Sequence, residues 1–211
     1  MNRLKLASTE PKPVLVVGSV AFDNIITPHA TGERILGGSA SYAALAASYY
    51  APSRLVGVVG HDFDEKHIDR FRAHGIDIEG LQRDESGPTF FWKGKYHENF
   101  NKRDTIDIQL NVFETFRPEL PDNYKDSEYL MLGNIAPGLQ LHVLAQVAET
   151  KPYVLADTID LWIDIQKDEL LQVVSKVDLF VINDSESEQL TGEKNIILAG
   201  QKLLKLGTKA A

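Results

Sequence analysis

Short apolar runs alternate along the chain with segments in which apolar residues recur every three or four positions. Val14-Leu15-Val16-Val17 reads as a buried strand, and so do residues 55–59, 129–132, 153–156 and 179–182. Continuous runs of this kind suit strands covered on both faces, the usual state of a parallel sheet. Between them the helical period takes over. Ala40, Ala43, Ala44 and Ala47 share one face. Leu141, Leu144, Ala145 and Ala148 form a second stripe, and Leu170, Leu171 and Val174 a third. Ile196, Ala199 and Leu203 form a fourth, closed by Gly207. Asp62 stands where it can cap a helix carrying Ile68 and Phe71 that stops near Gly75. The alternation predicts an α/β fold in layers.

One region departs from this rhythm. Residues 89–96 are aromatic and β-branched, and residues 106–112 alternate, with Ile106, Ile108, Leu110 and Val112 on one face. A period of two means a sheet with one dry face and one wet face. No long helix fits between the two segments. They predict a small antiparallel sheet projecting from the main layer and joined by the charged segment 97–105. Such a sheet can be a lid, the face of a homodimer or an ordinary edge hairpin. Residues 1–13, with Pro11 and Pro13, read as a flexible arm ahead of one domain over 14–211.

Composition narrows the function classes. A net charge of −8 argues against the basic face that nucleic acid needs. With no cysteine among 211 residues, disulfides, thiolate metal sites and cysteine nucleophiles are excluded. No apolar run reaches the length of a membrane span, and the N-terminus lacks a signal-peptide core. The expectation is a cytoplasmic protein with neither a membrane nor a nucleic-acid partner. The phosphate-binding G-x-x-x-x-G-K-[ST] and the dinucleotide G-x-G-x-x-G are both absent, as are H-E-x-x-H and G-x-S-x-G.

Three constellations carry chemistry. Asp23 follows a strand in Val-Gly-Ser-Val-Ala-Phe-Asp, where a carboxylate can accept two hydrogen bonds from vicinal hydroxyls or simply face solvent in a turn. Gly37-Gly38-Ser39-Ala40-Ser41-Tyr42 places two glycines before a helix N-terminus. Its free N–H groups can bind a hydroxyl or an anion, or be capped by Ser39. Asn183-Asp184-Ser185-Glu186 follows the strand at 179–182, where open α/β sheets bind ligands. Asn183 and Glu186 can hold a water-coordinated Mg²⁺, or form a capping box.

In this order and spacing the motifs resemble those of the ribokinase/PfkB carbohydrate-kinase family. Asp23, in Gly-Ser-x-x-x-Asp, resembles the family's sugar-binding aspartate. Gly37-Gly38 with the alanine-rich helix, followed by Val56-Gly57-Val58-Val59-Gly60-His61-Asp62, resembles its N-terminal signature. Asn183-x-x-Glu186 resembles its N-x-x-E motif. The resemblance implies a ribokinase-like α/β/α sheet with lid strands around 22–36 and 88–113. It also implies ATP-dependent phosphotransfer to a hydroxyl of a sugar or nucleoside, with ATP and Mg²⁺ as cofactors. Asp23, Gly37, Gly38 and Tyr42 would bind substrate. Asn183 and Glu186 would serve the phosphates and, through water, the metal. Asp157 stands at a strand end where the family commonly has an aspartate, with no role assigned to it.

The chain departs from the pattern twice. Tyr42 stands where the family usually has a sugar-binding asparagine. The Gly-Ala-Gly-Asp segment that supplies the anion hole and the catalytic base does not occur up to Ala211. The expectation is therefore a C-terminally truncated domain with its base beyond Ala211, negligible activity alone, and an exposed strand edge and helix face. The competing expectation is a non-catalytic sugar-binding or interaction module derived from the same fold. Lid aromatics Phe90, Phe91, Trp92 and Tyr96 would close over the substrate ring or bury themselves in a homodimer.

Overall fold

The computed structural model describes residues 11–100 and 102–211. The arm predicted at the N-terminus falls mostly outside these residues. Along the chain run β1 (Val14–Val17), β2 (Ala21–Ile26), β3 (Thr31–Gly37), α1 (Ser39–Ser48), β4 (Ser53–Gly60) and α2 (Glu65–Ala73). Then follow β5 (Ile76–Asp77), β6 (Leu81–Asp84), β7 (Phe90–Tyr96), β8 (Arg103–Gln109), β9 (Tyr129–Leu132) and α3 (Pro137–Gln146). The last third holds β10 (Tyr153–Asp157), α4 (Asp160–Ile165), α5 (Lys167–Val174), β11 (Leu179–Val181), α6 (Asp184–Thr191) and α7 (Ile196–Lys205).

The main sheet is parallel, in the order β11-β10-β9-β1-β4-β5, with β6 also paired to β4. Its strands read as apolar runs because both faces are covered. Leu15, Val17, Val56, Val58, Leu130 and Leu132 face one core with Val143, Leu170 and Leu203 from the helices. Val16, Leu55 and Val59 face the other with Ala40, Ala44, Ile68 and Phe71. Each such valine or leucine contributes about 1.5–3 kcal/mol on burial. Alternate residues of one strand thus belong to two cores, and the result is three layers. Beyond β11 the backbone of Ala210 bridges Leu179 in parallel, the amide of Phe180 donating to the carbonyl of Ala210 at 3.0 Å.

The projecting sheet exists, in the order β3-β2-β7-β8. The expectation of a purely antiparallel sheet is corrected: β2 pairs with β7 in parallel, while the two outer pairs are antiparallel. The reason is connectivity. Most of the main sheet's β4–α2 unit lies between β3 and β7, so the chain returns from the core and enters β7 in the direction of β2. The alternating segment ends earlier than expected. β8 stops at Gln109, and Val112 is buried in a 3₁₀ turn at Asn111–Phe113.

Two helix assignments shift. In α3 the buried residues are Pro137, Gln140 and Val143, so the expected stripe is rotated to the edge of the contact. Leu141 and Leu144 are only partly covered. The helix turns this way because Gln140 donates to the carbonyls of Gly133 and Asp157, both at 3.1 Å. Asp62 does not cap α2. Asp64 takes that position, and the carboxylate of Asp62 is engaged elsewhere.

Candidate functional site

The parallel strands all end at one edge of the sheet. Gly18 after β1, Gly133 after β9, Asp157 at the end of β10 and Asn183 after β11 therefore lie in a row. Three strand spacings separate β1 from β11, about 14 Å. The β1 and β9 ends meet closely under α1. A β-carbon on Gly18 would fall 2.8 Å from Ser39 Oγ and 3.3 Å from the Cα of Gly133.

Asp23 stands at one end of this row, in β2 opposite Ile35 of β3 and beside Trp92 of β7. Trp92 in turn faces Ile108 of β8. Register partners share a face of a sheet, so Ile35, Asp23, Trp92 and Ile108 make one row across it. Tyr96 joins the same surface, with its ring edge-on to Trp92 at 6.4 Å between centroids. The opposite face carries Phe22, Leu36 and Phe91 into the core. The row facing away is apolar and solvent-accessible, Ile35 39 % and Ile108 51 % exposed, with a carboxylate in its middle.

The carboxylate of Asp23 rests over Gly37. A β-carbon there would lie 2.3 Å from its carboxyl carbon. Gly38, with φ of 91°, passes so near Ser19 that its own β-carbon would meet the Ser19 carbonyl oxygen at 2.3 Å. The space on the β-carbon side of both glycines is thus filled by the chain itself. The N-terminus of α1 is also less free than expected: the amide of Ser39 donates to Ser19 Oγ at 3.1 Å and that of Ala40 to the Ser19 carbonyl at 3.0 Å. Ser39 is not the cap. Gly38 holds that position without a side-chain bond.

Burial pushes the Asp23 carboxyl up to about 6. The same environment raises the phenol of Tyr42, chiefly by burial and then by the charges of Asp23 and Tyr96. Tyr42 is 56 % exposed.

At the other end of the row, Asn183 and Glu186 form a reciprocal capping box. The amide of Glu186 donates to Asn183 Oδ1 at 2.9 Å, and the amide of Asn183 donates to Glu186 Oε2 at 3.1 Å. The capping alternative and the functional one are not exclusive, because the box occupies one oxygen of Glu186 and fixes where the other points. Burial raises the Glu186 carboxyl, and the hydrogen bond it accepts from the Asn183 amide opposes that rise. Beside it stands Asp157, pushed up to about 7 by burial first and then by the charge of Glu186. Asp157 Oδ1 is buried and has no hydrogen-bond partner among the described residues.

This pair fits a magnesium ion. Mg²⁺ is typically held by one or two carboxylates, its remaining positions going to water and phosphate. A buried orphan oxygen next to a second carboxylate is a donor set of that kind. No cluster of three or more His, Cys, Asp or Glu able to hold a metal is found among the described residues. Asp157 had no role on sequence grounds. Its signal, a carboxylate ending an apolar run, becomes specific only once β10 and β11 are seen to be neighbours.

The layered parallel sheet, with carboxylates along its carboxyl edge and a small mixed sheet rising beside them, defines a ribokinase-like domain. The chain belongs to the pfkB family of carbohydrate kinases, whose family model matches residues 11–211. A cytidine kinase of Thermococcus kodakarensis is 25 % identical over 206 residues, covering 93 % of this chain and 70 % of that protein. Among solved structures, Arabidopsis thaliana ribokinase complexed with ribose and ATP superposes with a TM-score of 0.70 at 19 % identity, over 94 % of this chain and 70 % of the other. An E. coli chain solved in complex with ATP and Mg²⁺ gives 0.75 at 17 % identity, over 93 % of this chain and 70 % of that one. These structural likenesses bear on the fold.

Proposed function

We propose that the chain binds a nucleoside and forms the substrate and magnesium side of an ATP-dependent phosphotransferase acting on a sugar hydroxyl. The observation that carries this reading is the half-buried Asp23 carboxylate set in an apolar and aromatic row. Ionised, it accepts two hydrogen bonds from the vicinal hydroxyls of a ribose. Tyr42, Trp92 and Tyr96 offer aromatic faces near it for the base, a surface that a bare hexose would use less fully. The cytidine kinase relative supports the same substrate class.

Asp157 and Glu186 are the residues that would hold Mg²⁺, with Asn183 fixing Glu186 through the capping box. When bound, the ion neutralises charge on the nucleotide phosphates. The base that takes the hydroxyl proton is not assigned to a residue of this chain.

Isothermal titration of the chain with cytidine and with D-ribose tests the proposal. Saturable binding of cytidine, tighter than that of ribose and weakened about tenfold or more in Asp23→Asn with unchanged circular dichroism, is the expected result. Equal affinities in the native and Asp23→Asn chains would overturn it.

A further inference from the structure

Two knots of polar contacts among the described residues lie where the projecting sheet meets the core. One joins Ser19 to Ser39 at the start of α1, their hydroxyls 3.2 Å apart. The other lies at the end of β4 and gathers around Asp62. Its Oδ1 accepts both the amide of Thr89 at 2.7 Å and the Thr89 hydroxyl at 2.8 Å. Its Oδ2 accepts from Arg34 Nη1 at 3.2 Å, and its carbonyl from Arg34 Nη2 at 3.0 Å.

Thr89 is the residue before β7, and Arg34 lies within β3. One side chain at the end of the central sheet thus holds two separate strands of the projecting one. The backbone is built for this approach. The amide of Gly60 donates to Thr89 Oγ1 at 3.0 Å, and a β-carbon on Gly60 would fall 2.3 Å from the Gly87 carbonyl oxygen. The exit from β8 is tied to the same place, Asn111 Nδ2 donating to the Thr89 carbonyl at 2.9 Å. Arg34 and Asn111 both take left-handed backbone conformations, with φ of 48° and 51°. Such conformations are uncommon for non-glycine residues and persist where surrounding contacts hold them.

Arg34 also brackets Asp23. Its guanidinium lies 4.1 Å from the ring centroid of Phe22, the residue before Asp23. Its amide donates at 2.8 Å to the side chain of Asn24, the residue after. A chain of direct contacts therefore runs from Asp62 through Arg34 to both neighbours of the carboxylate.

We propose that Asp62 is a positioning residue for the substrate site: it latches β3 and the start of β7 to the end of β4 and thereby sets where Asp23 stands. The proposal rests on the reading of Asp23 as the diol-binding group. An exposed ion pair alone would add little to stability. The bonds from Thr89 to a carboxylate are charge-assisted and stronger, and they act on a strand that starts beside the core. Releasing them populates conformations in which Asp23 is displaced, and apparent affinity falls with the fraction that stays competent.

Hydrogen exchange read by mass spectrometry on the full chain tests the latch without a substrate. In Asp62→Ala, amides of residues 21–26 and 90–96 are expected to exchange about tenfold faster while those of 14–17 and 129–132 keep their native rates. Asp62→Asn, which retains an acceptor for Thr89, should fall between the two. Cytidine affinity should drop in step with the exchange of the projecting sheet. Unchanged exchange there, or an equal rise in every strand, overturns the proposal. Should Asp62→Ala fail to fold, Arg34→Met carries the same test for the β3 leg. If the native chain binds neither cytidine nor ribose, the reading of Asp23 fails while the exchange data still decide the latch.

Discussion

Gly37 and Asp23 occupy complementary space: the carboxyl carbon of Asp23 sits 2.3 Å from where a β-carbon on Gly37 would be. The glycine lies in β3 and the aspartate in β2, two register positions apart. Gly37 has no left-handed φ, so alanine fits its backbone, and the nearest atoms its β-carbon would meet are those of the Asp23 carboxylate. Gly37→Ala should weaken cytidine binding about tenfold by displacing Asp23. In an Asp23→Ala background the same substitution should cost nothing further. Titration calorimetry on the four chains of this cycle checks it; additive losses would show that Gly37 acts independently of Asp23.

Asp23 predicts a pH dependence. Its carboxyl is raised by burial from 3.8 to about 6. The folded state thus favours the protonated form, so this group's contribution to stability is full below pH 3.8 and is lost as pH rises through about 6. Ligand binding should run the other way, because only the ionised form accepts two hydroxyl donors. Cytidine affinity is expected to rise between pH 5 and pH 7 with a midpoint near 6, and Asp23→Asn should abolish the step. A flat profile in the native chain would contradict the assignment.

Asp157 offers a test of the metal site. Raised to about 7, it too withdraws stability from the folded chain as pH rises from 3.8 to that value. Asp157→Asn stays neutral and should be more stable than the native chain above pH 7, by up to about 4 kcal/mol, with the difference vanishing below pH 4. In urea unfolding at pH 8, MgCl₂ should stabilise the native chain and leave Asp157→Asn unaffected. Glu186→Gln should also lose the magnesium effect while retaining its capping bond, since glutamine serves in that position. Equal stabilisation of all three chains by MgCl₂ would remove this site from consideration.

His67 is buried between Phe22 and Phe63, with ring centroids 5.6 and 5.3 Å away and neither nitrogen hydrogen-bonded among the described residues. Burial holds it below its ordinary value of 6.5. A histidine kept neutral contributes stability that is present above that value and lost as pH falls through the folded-state pKa below it. His67→Phe should therefore stabilise the chain by about 1 kcal/mol at pH 8, because unsatisfied buried polar atoms cost about that much or more. The gain should widen below pH 6.5. A variant less stable at every pH would show that the imidazole is needed there for its shape.

Much of this was legible from order and spacing. The strands β1, β9 and β10 follow the apolar runs almost residue for residue, because a strand buried on both faces has no polar positions to obscure its limits. The Asn183–Glu186 pair was equally readable, since a capping box is local and its partners are three residues apart. The α3 stripe was misplaced because two apolar faces compete on that helix. The contact was decided by Gln140, whose partners are Gly133 just after β9 and Asp157 at the end of β10. Asp62 was read as a cap because Asp before a helix usually is one. Its actual partner, Thr89, lies 27 positions away.

The sequence by itself determined the layered α/β architecture, the family likeness and the motifs around Asp23, Gly37 and Glu186, because these depend on periodicity and on residues close in the chain. Only the tertiary structure decided that Asp157 stands beside Glu186, that Trp92 and Ile108 share a row with Asp23, and that Asp62 ties β3 to β7. Each of these depends on which strands are neighbours and in what register. Side-chain period alone leaves that open, since it fixes the face on which a residue lies but not the strand that comes to lie next to it.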